Sequence, residues 1–294
     1  MKDFTSWVEY EGASEGSGRS EKIWLMDPDT GQLGLFKYKK DIFTTDHVSE
    51  CLAYQFAQLI SLPCAEFELG QYCGRDGSMS YNIVQKGNIV LIEGVTFISA
   101  VYPSYDSERF VDTISGHVYS LEMIKIALNG IVSFGDFLRI PIFDYLIGNT
   151  DRHQSNWAIL WDGINYKISP LYDNSSSLCA YLSPEQIIGY LGKDKLKWNS
   201  LVDTKSKSRI KCNILEKKTP THMQVLKYIK DNYFIETQDF IKKVVSVMTT
   251  HNINNILNTY SNDVLSNDKK SIISKFLLFK VQEMKNIYFG GEEE

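Results

Sequence analysis

Residues 148–157 read Gly148-Asn149-Thr150-Asp151-Arg152-His153-Gln154-Ser155-Asn156-Trp157, and a second polar run, Ser169-Pro170-Leu171-Tyr172-Asp173-Asn174, follows shortly after. Three side chains in these runs can carry chemistry: the acids Asp151 and Asp173 and the amide Asn156. Carboxylate and amide oxygens are ligands that Mg²⁺ prefers, and a carboxylate can also deprotonate an attacking hydroxyl. Asp and Asn are also common in turns that have no catalytic role. Taken alone, Asp151 and Asn156 could therefore be either turn residues or part of a functional site.

The flanking residues favour a site. Residues 143–148 predict the end of an apolar helix, 157–161 a strand and 166–168 a return strand, with Asp162-Gly163 as a two-residue turn. Protein kinases use the same order, with a base Asp five residues before a metal-binding Asn and a second metal-binding Asp after a hairpin. The order therefore predicts phosphoryl transfer, with Asp151 as the base.

The two runs, extended through Ser175-Ser176-Ser177-Leu178, resemble the HipA-like kinases, including their small CtkA-type members. The resemblance implies an α+β, bilobal, protein-kinase-like fold with a small β-rich N-lobe and a larger, mainly helical C-lobe. It implies an ATP- and Mg²⁺-dependent kinase acting on Ser or Thr hydroxyls of a protein, with Asn156 and Asp173 as metal ligands. A lipid or small-molecule kinase and a nucleotide-binding pseudokinase are the alternatives. Asp173-Asn174-Ser175 stands where eukaryotic kinases have D-F-G, and A-P-E is missing, so activation-loop phosphorylation is not implied.

A glycine- and serine-rich run at residues 12–20 predicts a flexible loop before a strand at 22–26. Glycine lets backbone N–H groups approach phosphates closely, so Gly16, Ser17 and Gly18 are candidates for covering the nucleotide. A plain loop is the alternative. The serines of this loop are also candidates for autophosphorylation.

Lys37 ends a predicted strand at residues 33–37, in which Leu35 and Lys37 share one face. The resemblance makes Lys37 the lysine that holds the α- and β-phosphates, with Lys39 as second choice. A solvated lysine-rich strand edge is the alternative.

Residues 46–61 predict a helix capped by Asp46, with Glu50 early in it. By resemblance, Glu50 should pair with Lys37 and act with it in catalysis. A first-turn glutamate that complements the helix dipole is the alternative.

Strands at 65–72 and 78–84 are predicted around a turn at Arg75-Asp76-Gly77-Ser78. The connection between the lobes should follow, and the adenine contacts implied there, chiefly through the backbone, are those of Asn82, Ile83, Val84 and Gln85. We expect an N-lobe over residues 1–86 and a C-lobe over 87–294.

The C-lobe sequence predicts helices at 117–129, 134–147, 223–235, 237–248, 252–260 and 267–288. Pro141 should kink or restart the second of these. Arg152 and His153 are expected to support the loop that carries Asp151. The lysine-rich run 193–218 is either a substrate-docking or regulatory segment or a solvated connector.

The composition narrows the function further. A net charge of -5 over 294 residues disfavours nucleic acid as a direct partner. The five cysteines form no C-x-x-C pair, which argues against disulfides and zinc. No signal region and no apolar run long enough to span a membrane is present, so we expect a cytoplasmic protein, although delivery into another cell would leave no mark. The resemblance implies a toxin restrained by an antitoxin-type partner or an effector that acts on host cells, without the additional N-terminal subdomain of longer HipA proteins.

Overall fold

A computed structural model describes residues 1–12, 21–84 and 87–290 of the chain. A β-sheet part precedes a mainly helical part, so the predicted α+β kinase-like architecture is confirmed. None of the described helices is both long and apolar enough to cross a membrane.

The first part is a six-stranded sheet with strand order β1-β5-β6-β4-β3-β2. Its elements are β1 (Lys2–Asp3), β2 (Val8–Glu9), β3 (Lys22–Met26), β4 (Leu33–Tyr38), α1 (Asp46–Leu59), β5 (Phe67–Tyr72) and β6 (Arg75–Tyr81). Only β1 and β5 pair in parallel among these strands. Phe4, Leu25, Phe36 and Met79 form a buried aromatic and aliphatic cluster on one face. Because side chains alternate along a strand, Lys37 faces the other side, where α1 packs.

Two local expectations in this part are wrong. The turn between β5 and β6 lies at Cys73 and Gly74, which both have positive φ, 50° and 75°. Two consecutive residues at positive φ make the tight hairpin whose twist matches the strands, so Arg75 already belongs to β6. Asp46 is not the cap of α1, because Thr45 occupies that position and Asp46 lies in the first turn.

The second part contains a three-stranded sheet, order β11-β10-β7, and a helical core. Its elements are β7 (Val90–Glu93), α2 (Gly94–Val101), β8 (Tyr105–Asp106), β9 (Val111–Asp112), α3 (Leu121–Ala127), α4 (Phe134–Ile147), β10 (Ala158–Trp161), β11 (Tyr166–Ile168), α5 (Pro184–Leu191), α6 (Lys195–Asn199), a π-helical turn (Ser200–Thr204), α7 (His222–Val247), α8 (Thr250–Leu257) and α9 (Asn267–Phe289). Helix α4 packs against α7 and α9 and is buried over most of its second half. It therefore fixes the start of the polar loop that follows it.

One predicted turn in this part differs from the structure, while the long helices follow the prediction closely. Helix α4 has the predicted bounds, 134–147, and continues through Pro141 as one helix without restarting. Helix α7 breaks at Tyr233, whose φ of −142° and ψ of 35° are not helical, so the two helices predicted at 223–235 and 237–248 are present with their boundary a few residues earlier. The Thr237 hydroxyl donates to the Tyr233 carbonyl at this kink. The turn between β10 and β11 spans residues 162–165, since the Asp162 carboxylate accepts two backbone N–H groups and widens the loop.

Candidate active site

Lys37, Glu50 and Asp173 form one charged cluster between the two parts of the chain. The Lys37 ammonium lies 3.0 Å from Glu50 Oε1 and 3.0 Å from Asp173 Oδ1. Strand β4 supplies the lysine, α1 the glutamate and the loop after β11 the aspartate. The ion pair expected between Lys37 and Glu50 is therefore present, and Asp173 completes it from a position remote in sequence.

The charges of this cluster stabilise one another. Burial lowers the pKa of Lys37, but the carboxylates of Asp173 and Glu50 outweigh burial and raise that pKa above its ordinary value. Burial likewise raises the pKa of Asp173, yet the Lys37 ammonium reverses this and lowers it to about 2. Near neutral pH, the lysine is therefore protonated and Asp173 is ionised.

Glu50 also connects the cluster to the backbone beside Asp173. Its second oxygen, Oε2, accepts a 2.7 Å hydrogen bond from the Asn174 backbone N–H. One residue earlier in the chain, the Ser49 hydroxyl donates to the Ser177 carbonyl. Helix α1 therefore holds the loop that carries Asp173, whose φ of 55° is unusual for a residue other than glycine.

Asp151 and Asn156 are joined through their own loop. The Asn156 side-chain N–H donates to the Asp151 carbonyl at 2.8 Å. The Asp151 backbone N–H in turn donates to Asn149 Oδ1. The Asp151 carboxylate is part-exposed and accepts a 3.0 Å hydrogen bond from Arg209. The sequence placed Arg209 in the lysine-rich run 193–218 but did not predict this contact with Asp151.

Arg152 is the buried centre of this loop. Its guanidinium pairs with Asp144 at 2.9 Å and donates to the carbonyls of Asn156 and Tyr172 and to Asn174 Oδ1. These bonds use all five of its N–H donors. Burial lowers the pKa of Arg152, but the Asp144 carboxylate more than offsets this, so the guanidinium stays charged. One side chain thus fixes helix α4, the Asp151 loop and the Asp173 loop together.

A second series of buried hydrogen bonds supports the Asp151 loop at the Asn149 carbonyl. The Lys280 ammonium donates to Ser206 Oγ at 3.2 Å, Ser206 lies 2.9 Å from His222 Nδ1, and His222 Nε2 lies 2.8 Å from the Asn149 carbonyl. Burial lowers the pKa of His222 to about 3, so the ring is neutral, with Nε2–H donating and Nδ1 accepting. No sequence pattern predicted these hydrogen bonds, since the four residues come from four separate segments.

A cavity of about 400 Å³ lies between the sheet and these loops. Apolar side chains of Leu35, Phe67 and Leu91 line it, and the charged and polar groups of Lys37, Asn156 and Asp173 meet at it; Asn82, Ile83 and Val84 border it as well. A cavity of this size, lined by apolar side chains and by a lysine, an amide and a carboxylate, suits a nucleotide.

Some of the predicted nucleotide contacts border this cavity, and the others are not described by the structure. Asn82, Ile83 and Val84 border the cavity, but the Val84 backbone N–H already donates to Asn82 Oδ1 at 3.1 Å. An adenine contact of Val84 would therefore use its carbonyl or displace this bond. Gly16, Ser17, Gly18 and Gln85, together with the proposed lobe boundary at Lys86, lie outside the described residues.

The donor set fits a hard divalent cation such as Mg²⁺. Asp173 Oδ2 and Asn156 Oδ1 make no hydrogen bond to any residue that the structure describes, while Lys37 and the Asp151 carbonyl occupy the other polar atoms of these two side chains. Both residues line the same cavity. An anionic and a neutral oxygen directed to one space are the ligands that Mg²⁺ takes beside phosphates. No cluster of three or more His, Cys, Asp or Glu side chains suited to a metal occurs among the described residues.

The chain is similar to a known family of kinases. Residues 92–233 match the family model of the HipA-like C-terminal domain. The resemblance to the HipA-like kinases is confirmed. The HipA-like segment contains Asp151, Asn156 and Asp173, whereas Lys37 and Glu50 lie before it.

Solved structures show the same fold. The crystal structure of the Helicobacter pylori proinflammatory kinase CtkA is similar with a TM-score of 0.82 and 18% identity, over 99% of this chain and 99% of that one. HipA of Shewanella oneidensis MR-1, in a toxin–antitoxin complex with HipB and operator DNA, is similar with a TM-score of 0.58 and 12% identity, over 96% of this chain and 67% of that one. No curated protein sequence matches the chain. At these identities the likeness shows a HipA-like kinase fold and no particular substrate.

Proposed function

We propose that this protein is an ATP- and Mg²⁺-dependent kinase that transfers the γ-phosphate to Ser or Thr hydroxyls of a protein. The observation that carries the proposal is the convergence of Lys37, Asn156 and Asp173 on one cavity, with Asp151 held beside it by Asn156. A HipA-like fold supports the same reaction.

The side chains have distinct proposed roles. Lys37, oriented by Glu50, binds the α- and β-phosphates, and the part-exposed Asp151 carboxylate orients the acceptor hydroxyl and takes its proton. Asn156 and Asp173 would hold Mg²⁺, which supplies positive charge against the charge that develops on the transferred group. The protein forms no covalent intermediate in this scheme, so positioning and electrostatics account for its contribution.

Phosphate transfer from [γ-³²P]ATP, measured on the protein itself and on a protein mixture, tests the proposal. Thermal shift with Mg²⁺–ATP measures nucleotide binding separately. We expect D151N to keep binding and to lose transfer by roughly 10²-fold or more, the range for removing a general base. D173N should weaken Mg²⁺-dependent binding as well as transfer. Asp136→Asn is the matched control, because Asp136 is an exposed acid that pairs only with Arg139 among the described residues.

Two alternatives have their own outcomes. Binding of ATP by the wild-type protein without any transfer would favour a pseudokinase that acts as an interaction module. Transfer to a lipid or small molecule, but not to protein, would favour a different acceptor within the same fold. Near-normal transfer by D151N would show that Asp151 is not the base.

The biological role proposed here is that of a toxin or effector kinase of the cytoplasm. HipA of Shewanella oneidensis is part of a toxin–antitoxin system with HipB, and CtkA of Helicobacter pylori is described as proinflammatory. The first role predicts an antitoxin-type partner, and a small helix-turn-helix protein that is encoded next to this gene and co-purifies with the kinase would identify it. Phosphopeptide mapping of residues 12–20 tests the proposed autophosphorylation.

A further inference from the structure

Arg209 lies where an acceptor hydroxyl must approach. Its Nη2 donates to Asp151 Oδ1 at 3.0 Å, and both side chains are close to half exposed, 45% and 42%. Arg209 belongs to the lysine-rich run 193–218, for which the sequence left docking and a plain connector open. The contact with Asp151 links that run to the proposed base.

The backbone around Arg209 is fixed. Ser208 on one side donates its N–H to the Pro220 carbonyl and its hydroxyl to the Ile210 carbonyl. Ile210 on the other side is fully buried, and Lys211 exchanges backbone hydrogen bonds with Tyr119 and Leu121. A solvated connector would lack such anchors, so the arginine is presented from a rigid support.

The guanidinium itself is oriented but largely unsatisfied. Its carbon lies 5.2 Å from the ring centroid of Phe110, a cation–π contact that fixes the guanidinium without using an N–H donor. A guanidinium has five donors, and the bond to Asp151 is the one it makes to the described part of the chain. The other four donors make no hydrogen bond to a described residue, and the side chain is 45% exposed, so they are available to an incoming anion.

The contact leaves room for the reaction. Arg209 occupies Oδ1 of Asp151, while Oδ2 makes no hydrogen bond to a described residue. A carboxylate can accept at both oxygens at once, so Oδ2 is available to an incoming hydroxyl while Arg209 stays in place. The arginine therefore does not have to leave before an acceptor binds, which argues against a simple blocking role.

We propose that Arg209 selects protein acceptors that carry an anionic group, a carboxylate or a phosphate, beside the hydroxyl that Asp151 orients. The planar guanidinium binds carboxylate and phosphate oxygens through paired hydrogen bonds, and its fixed position sets the distance between that anion and the hydroxyl. Exposed Lys207 lies two residues before Arg209 on the same run, and no ion pair joins it to Asp151. This inference rests on the proposed kinase function and names its substrate class.

A positional peptide library tests it. Each peptide has a central Ser or Thr and one flanking position fixed as Asp, Glu, phosphoserine, Lys or Ala, and transfer from [γ-³²P]ATP is measured for wild type, R209Q and R209K. Lys207→Gln is the matched control, an exposed base on the same run. We expect wild type to prefer an acidic flank by about tenfold, the size of one charge-assisted hydrogen bond. R209Q should lose that preference, and R209K should keep only part of it, because a lysine ammonium supplies the charge without the paired hydrogen bonds. K207Q should keep the preference.

The outcomes separate this inference from the function it rests on. A preference for phosphoserine over Asp and Glu would identify the anion as a phosphate, and the reverse would identify a carboxylate. Equal loss by R209Q on all peptides would show that Arg209 only supports Asp151, and an equal gain would show that it blocks the site; either result overturns the selection role. No transfer to any peptide or protein by wild type would refute the kinase function and this inference with it.

Discussion

Replacing Arg152 with methionine should destabilise the protein more than any exposed charge change. The methionine keeps a stem of similar length but removes five N–H donors from a site where Arg152 and Asp144 are 1% and 3% exposed. Asp144 would remain buried with Asn149 as its only described donor. Breaking one partner of a buried ion pair typically costs about 3–5 kcal/mol, because the remaining charge cannot reach water.

The chain contains a matched comparison for this change. Arg139 and Asp136 on helix α4 also lie 2.9 Å apart, but they are 44% and 51% exposed. Exposed pairs of this kind contribute roughly 0–1 kcal/mol. R139M therefore removes an exposed Arg–Asp ion pair with the same 2.9 Å distance. The difference in stability between R152M and R139M measures the effect of burial.

Thermal unfolding followed by circular dichroism measures the difference. For a chain of this size, 1 kcal/mol corresponds to roughly 2 °C in the melting temperature, so R152M should melt about 6–10 °C below wild type and R139M within about 2 °C of it. The double variant D144N/R152M should recover part of the loss, since it leaves no unpaired charge. A melting temperature of R152M equal to that of R139M would refute the reasoning, and so would a double variant less stable than R152M.

Two further changes test the support of the same loop. Gly148→Ala should lower the free energy of unfolding by about 1–3 kcal/mol more than Gly130→Ala, as measured by urea unfolding. Both glycines have φ near +70°, but only at Gly148 would the new Cβ lie 2.7 Å from the Phe276 ring. Equal losses of stability would contradict this. The second change is His222→Gln. Burial lowers the pKa of His222 from about 6.5 in the unfolded chain to about 3 in the folded chain. The unfolded chain therefore binds a proton first as the pH falls from about 6.5 to 3, and the wild type should lose up to ~5 kcal/mol of stability relative to His222→Gln over this range. A constant difference between those two proteins across that range would show that the ring charges in the folded state.

The sequence predicted the parts of the site that rest on local regularities. Alternation along β4 placed Leu35 and Lys37 on one face, and both line the cavity. Helical spacing placed Glu50 on α1, from which it reaches Lys37. These predictions succeed because strand and helix periods translate directly into direction in space.

The remainder could not be predicted because it depends on contacts between distant segments. Lys280 belongs to an amphipathic helix in which a lysine is normally exposed, yet here it is fully buried and supports Ser206. Arg209 comes from a run for which composition left a docking segment and a solvated connector both open, and its pairing with Asp151 joins residues 58 positions apart. Neither a period nor a spacing encodes such contacts, so only the folded chain reveals them.

The short polar motif and its support have different physical requirements. Asp151, Asn156 and Asp173 each need one side-chain oxygen that is available to a hydroxyl or a cation, and their Oδ2, Oδ1 and Oδ2 atoms make no hydrogen bond to a described residue. Arg152 and His222 need the opposite, complete satisfaction in the interior, because an unmet buried group costs stability. Substitutions of the first set should therefore abolish transfer at nearly unchanged melting temperature, whereas substitutions of the second should lower the melting temperature first. This division follows from burial and hydrogen bonding alone, and it separates the proposed chemistry from the scaffold that positions it.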